Sequence, residues 1–192
     1  MAKAPIETAV GRTIHGRMDN VVYRSVDGET VLARRPRKTA LPPTDTQLGI
    51  RAKFREAAKY AKATLADPVR KQPYVDYAQA HGISNRRLFG LIVRDWWLPP
   101  VFGEIDATRY QRQAGGEIRV TVNDDVQVMS VTVKLKRQPD NVVLEQGAAT
   151  YVGPHWRYVA TTEAPADIPL VVEASATDRA ENTSTESLGI ST

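Results

Sequence analysis

Asp124, Asp125, Asp178 and Asn182 are the residues whose types and spacing best suit a bound ion. Each has a short, oxygen-bearing side chain. They fall in two turn-prone clusters, Asn123-Asp124-Asp125 and the stretch from Asp178 to Asn182. In an antiparallel sandwich with Greek-key connections, two such turns come together at one end of the fold. Residues 123–126 and 178–183 would then gather several hard oxygen ligands, which is the chemistry of calcium. The same residues also suit a second role. Asx side chains accept hydrogen bonds from backbone N–H groups one or two residues on and so close their own turns.

A second set is cationic. Arg34, Arg35, Arg37 and Lys38 form a run of four basic residues in five positions, and Arg51, Lys53, Arg55, Lys59 and Lys62 follow within one predicted helix. Clustered Lys and Arg neutralise phosphates and release counterions, so this set points to nucleic acid. The alternative is a solvated linker and a solvated helix face. Charge is unevenly placed along the chain. The whole chain carries +4; residues 1–100 hold 18 Lys and Arg against 9 Asp and Glu, a net of +9, and residues 101–192 hold 8 against 13, a net of −5. A basic front and an acidic back can also attract each other between copies.

Other chemistry lacks its residues. The chain has no cysteine, which excludes disulfides, thiolate metal sites and cysteine nucleophiles. His15, His81 and His155 are far apart, without the HxxxH or HExxH spacing of a metal site. Gly115-Gly116 precedes a strand pattern and not a helix, so it is no phosphate loop. No serine sits in a G-x-S-x-G elbow. The expectation is a protein without catalytic activity and without a cofactor other than calcium. Trp156 and Tyr158 are the aromatics that could form a carbohydrate- or ligand-stacking platform on a strand; their period-two spacing equally makes them core.

The elements that position these residues follow from hydrophobic period. Ile118, Val120 and Val122 alternate with polar residues, as do Val131, Val133 and Leu135, then Trp156, Tyr158 and Ala160, then Leu170, Val172, Ala174 and Ala176. Period two means strands with one buried face, and five or more short strands between turn clusters predict an antiparallel sandwich. Upstream, Asp27-Gly28 between β-prone runs predicts a hairpin. Helices are predicted over about 45–65, capped by Thr44 or Asp45, then from Asp67-Pro68 with a kink or restart at Pro73 and a stop at Gly82, then from Ser84 to about Trp97. Leu48, Phe54, Ala57, Ala58, Ala61 and Leu65 form the expected buried stripe of the first helix. Leu88, Leu91, Ile92 and Trp96 form that of the third, and the paired Trp96-Trp97 are expected to pack where the helices meet the sandwich. The fold class is therefore α+β with two domains: residues 1–100, a β-hairpin arm and a three-helix region, and residues 101–192, the sandwich.

Several stretches also carry a resemblance. They are Pro43-Thr44-Asp45-Thr46-Gln47-Leu48 with Arg51-Ala52-Lys53-Phe54-Arg55, Ala66-Asp67-Pro68 leading to Tyr74, and Asp95-Trp96 to Pro99-Pro100 followed by Glu104-Ile105-Asp106. Over nearly its full length the chain resembles a family of uncharacterised bacterial proteins in which a hairpin and helices precede a bacterial immunoglobulin-like (Ig-like) domain. Asn123-Asp124-Asp125, Trp156-Arg157-Tyr158 and residues 176–182 resemble such domains at large, with Glu181 where they tend to have glycine. The resemblance implies an Ig-like sandwich in the C-terminal half; it implies no activity.

The functional expectation is a structural or interaction module that assembles with itself or another protein, such as a component of a filament, a cell surface or a phage-like particle. Nucleic-acid binding by the basic half is the alternative. No apolar run reaches the ~18 residues of a membrane span, and Met1-Ala2-Lys3-Ala4-Pro5 does not open a secretion signal. The expected location is cytoplasmic, or on a surface or particle reached by signal-independent export.

Overall fold

The computed structural model describes residues 16–26, 29–36, 41–138 and 140–191. The predicted Asp27-Gly28 turn, His15, Arg37, Lys38 and Pro139 lie outside the described residues. The described residues are mixed α+β, with three α-helices and three antiparallel sheets. It divides into two compact units, residues 1–47 and 48–192, so the expected joint after Pro99 lies inside the second unit.

In the first unit, β1 (Gly16–Met18), β2 (Val21–Val26) and β3 (Glu29–Arg34) form one small sheet in that order. β2 and β3 pair antiparallel from Val21↔Arg34 to Val26↔Glu29, as the hairpin pattern predicts. Asp19, at φ 49°, turns the chain between β1 and β2.

Helix α1 (Asp45–Ala66) opens with a capping box: Thr44 Oγ1 accepts from the Gln47 N–H and Gln47 Oε1 accepts from the Thr44 N–H. Helix α2 (Pro68–Ala80) is capped by Asp67, whose Oδ1 accepts from the N–H groups of Val69 and Arg70. It runs through Pro73 without restarting. Proline removes one ladder bond, but buried Tyr74 and Ala78 hold the following turns to the helical core. Gly82, at φ 64°, ends the helix in a Schellman motif, with Ile83 N–H bonded to Ala78 C=O and Gly82 N–H to Gln79 C=O. A 3-10 turn, Asn85–Arg87, leads into α3 (Leu88–Trp97). Ala61, Tyr74, Ala78, Leu88, Leu91 and Ile92 are the buried residues of this helical core.

The remaining strands form two four-stranded antiparallel sheets. One has the order β4 (Val101–Asp106), β5 (Glu117–Asn123), β9 (His155–Val159), β8 (Thr150–Val152). The other has the order β11 (Thr183–Ile190), β10 (Leu170–Asp178), β6 (Val128–Arg137), β7 (Val142–Ala148). Burial alternates strictly along β10, and Ile118, Val120, Val131, Val133, Leu170, Val172, Ala174 and Ala176 from both sheets share one core. Tyr158 joins that core, while Trp156 packs on its margin.

Glu145 is a buried carboxylate within the sheets. It lies on β7, is 7% exposed, and accepts five hydrogen bonds: from Tyr158 Oη, from the N–H and Oγ1 of Thr161, and from the N–H and Oγ1 of Thr162. Burial alone would raise its carboxyl, but these donors outweigh burial and hold it down to about 2. Gly147 leaves room for the Tyr158 ring, since a Cβ there would stand 2.8 Å from Tyr158 Cε2.

Candidate functional site

The loops β5–β6 and β10–β11 meet the helices at one end of the two sheets. Asn182 ties three pieces together. Its Nδ2 donates to Asp178 Oδ2 at 2.7 Å and to the Asp95 carbonyl at 3.0 Å, while its N–H donates to Asp178 Oδ1 at 2.7 Å. Ser184 Oγ donates to the Pro100 carbonyl, and Tyr60 Oη of α1 donates to the Arg179 carbonyl. Val126 packs against the helical core from the β5–β6 side.

At the centre is Asp95, with no exposed surface. Tyr74 Oη donates to its Oδ2 at 2.5 Å, and its Oδ1 is buried without a partner. Burial raises its carboxyl; the Tyr74 hydroxyl pulls the other way, and the charges of Asp124, Asp178 and Asp125 push up again, to about 7. Burial and the Asp95 hydrogen bond raise the Tyr74 phenol in turn. The helical period explains why this acid is inside. Asp95 lies seven residues after Leu88, within about 20° of it around the helix, whereas Trp96 is about 80° away. Asp95 therefore takes the place on the buried stripe expected of Trp96, which is half-buried. The period was visible in the sequence; polarity concealed it.

The four residues considered for calcium all lie at this end, each with backbone or ionic partners. Asp124 Oδ2 accepts from the N–H groups of Val126 and Gln127. Asp125 Oδ1 pairs with Arg94. Asp178 spends both oxygens on Asn182. Asp124 Oδ1 and Asp125 Oδ2 are buried without partners. Among the described residues, no three acidic or histidine side chains converge as a metal site requires. Glu181, in place of a glycine, takes φ 68° in the turn before Asn182.

No protein-family model matches the chain, and no curated protein matches it. Among solved structures, an engineered protein is similar over 47% of this chain and 19% of its own, at 22% identity and a TM-score of 0.33. A conjugative transposon lipoprotein from Bacteroides eggerthii is similar over 48% of this chain and 95% of its own, at 10% identity and a TM-score of 0.25. Likenesses this low say nothing of what the chain does.

The basic residues are placed on separate elements. Arg34 ends β3 and Arg35 follows it, both exposed. Arg51, Arg55, Lys59 and Lys62 are exposed on α1 and, at 100° per residue, lie within an arc of about 80° over about 16 Å of helix. Lys53 is on another face, its Nζ 4.4 Å from the Trp97 ring centre. The expected apolar stripe of α1 divides. Ala57 and Ala61 are buried, but Leu48 is 49% and Phe54 51% exposed. Leu48 projects on the cationic side of the helix, and Phe54 belongs to early turns that reach past the helical core. Of the expected aromatic platform, Tyr158 is buried; Trp156 instead meets Tyr151, with ring centres 5.4 Å apart. His81 stacks on Tyr77, and His155 begins β9. Among the described residues, no helix is long and apolar enough to cross a membrane.

The raised proton affinity of Asp95 acts on the joint between helices and loops.

Proposed function

We propose that this chain is a structural or interaction module, not an enzyme, and that it assembles with copies of itself. Its C-terminal part is read as an Ig-like sandwich. The orders β4-β5-β9-β8 and β11-β10-β6-β7 correspond to the strand orders A-B-E-D and G-F-C-C′ of that architecture. Filaments, surface layers and phage-like particles are assemblies of this kind.

The observation that carries the reading is the rim formed by β7 and β8, each an edge of its sheet. Val142, Val143, Tyr151 and Val152 are exposed along it. The one charge on β7, Glu145, points inward and is fully bonded, so no outward charge guards the strand. An edge with exposed apolar side chains accepts another strand, gaining main-chain hydrogen bonds and side-chain contacts together. The small sheet β1-β2-β3 of a second copy is the donor in this reading, and the +9 and −5 halves have the sign to favour it. A donor and acceptor on different surfaces make a head-to-tail contact that propagates or closes into a ring.

Light scattering tests this. The intact chain is expected to assemble, and either deletion of residues 1–34 or Val143→Lys is expected to leave folded monomers. A chain that is monomeric before and after these changes refutes the reading.

A second reading has its own support. The cations Arg51, Arg55, Lys59 and Lys62 share one face and have no acidic partner among the described residues. Such a row binds nucleic acid with an affinity that falls steeply with salt. Absence of a shift of labelled DNA or RNA at ~50 mM salt and micromolar protein removes this reading.

A further inference from the structure

We propose that the first turns of α1, with the end of α3, form a docking surface for an anionic lipid bilayer. Ile50 and Phe54 are four residues apart, so they stand one above the other on one side of α1. They are 55% and 51% exposed. Phe54 continues into an open groove of about 320 Å³ whose other walls are Gly90, Val93, Arg94, Trp97 and Leu98 of α3 and its end. Leu98 is 43% exposed and Val101, just beyond it, 67%. Phe54 and Leu98 line one groove, and Ile50 and Val101 are exposed on the segments beside it, which is more than single exposures of the ordinary kind.

Cations bracket this strip on both sides. Arg51 and Arg55 each follow an apolar residue by one position, about 100° around the helix from it. Lys53 lies on the opposite flank and holds its ammonium over Trp97. Arg94, whose guanidinium pairs with Asp125, reaches the groove from α3 and is 65% exposed. Lys59 and Lys62 extend the Arg51–Arg55 row along the helix. An apolar ridge with a row of cations on one side and Lys53 on the other, and with a tryptophan at its edge, matches the boundary of an anionic bilayer. There phosphates sit at the level of the cations and acyl chains lie beneath.

Other occupants fit less well. A nucleic acid uses the cations but has no use for Ile50, Phe54 and Leu98. A second copy docked by the same face would bring Arg51, Lys53 and Arg55 against their own equivalents, which like-charge repulsion opposes. The surface is separate from the β7–β8 rim, so it stands whether or not the chain assembles through that rim.

Co-sedimentation of the full chain with vesicles tests the proposal. Vesicles of equal phosphatidylglycerol and phosphatidylcholine are expected to bind at ~100 mM salt, and pure phosphatidylcholine at least tenfold more weakly. Phe54→Ser removes a half-exposed side chain and is expected to leave the fold intact, as circular dichroism would check. It is expected to weaken vesicle binding at least fivefold without changing its salt dependence. The pair Arg51→Gln and Arg55→Gln is expected to flatten the salt dependence. No sedimentation with anionic vesicles overturns the proposal. So does equal binding of Phe54→Ser and the unaltered chain, which leaves a purely electrostatic face of the nucleic-acid kind. Equal binding to neutral and anionic vesicles overturns it as well.

Discussion

Replacing Asp95 by asparagine is expected to stabilise the protein, and more so at high pH. In the folded state the carboxyl titrates at about 7, against an ordinary value of 3.8. Below 3.8 both folded and unfolded chains hold the proton and burial carries no ionic penalty. Between 3.8 and 7 the unfolded chain releases a proton that the folded chain keeps, so stability falls as pH rises. Above 7 both forms are ionised and the loss is complete. At about 1.36 kcal/mol per pH unit, the full penalty is about 4 kcal/mol. About 2 kcal/mol of it is present at pH 5 and the rest has developed by pH 8. Asparagine keeps an oxygen for the Tyr74 hydroxyl and places an NH₂ where Oδ1 is unpartnered among acidic neighbours. The assay is urea unfolding of both proteins at pH 5 and pH 8, where groups common to the two cancel. The stability difference in favour of Asp95→Asn is expected to grow by about 2–3 kcal/mol between those pH values. A difference that is the same at both refutes the assignment of a retained proton to Asp95.

Glu145→Gln is expected to cost about 3 kcal/mol at pH 7, because the folded carboxyl lies well below its ordinary value of 4.5. The stabilisation is present above 4.5 and fades as pH falls toward 2, so acid titration of unfolding should show a slope in the native protein that the variant lacks. Gly147→Ala should destabilise by about 1–3 kcal/mol, since the new methyl meets the Tyr158 ring; a thermal midpoint within 1 °C of the native one would argue that the ring shifts freely. Glu181→Gly should stabilise by about 1 kcal/mol by relieving a left-handed backbone, read from the denaturation midpoint at constant slope.

Residue order by itself determined the local elements. The alternation Leu170, Val172, Ala174, Ala176 makes a strand buried on one face wherever it is placed, and Asp67-Pro68 and Gly82 start and stop a helix through groups one to four residues away. The two loops at one end were also legible, because turn chemistry marks residues 123–126 and 178–183 and the sandwich expected from the period-two strands would bring such turns together. The sequence could not show what those loops would touch. The helical period puts Asp95 on the buried stripe, but its partners come from afar: Asn182, 87 residues further on, bonds its carbonyl, and Tyr74 comes to it from another helix. Glu145 reads as a polar break in a weak strand until Tyr158, Thr161 and Thr162 surround it. Ile50 and Phe54 follow a core-like spacing, yet the turns that carry them extend past the helices that would cover them. Spacing fixes which side of an element a residue occupies; whether that side meets apolar atoms, a hydrogen-bond donor or water depends on chain segments tens of residues away, which only the tertiary fold brings into place.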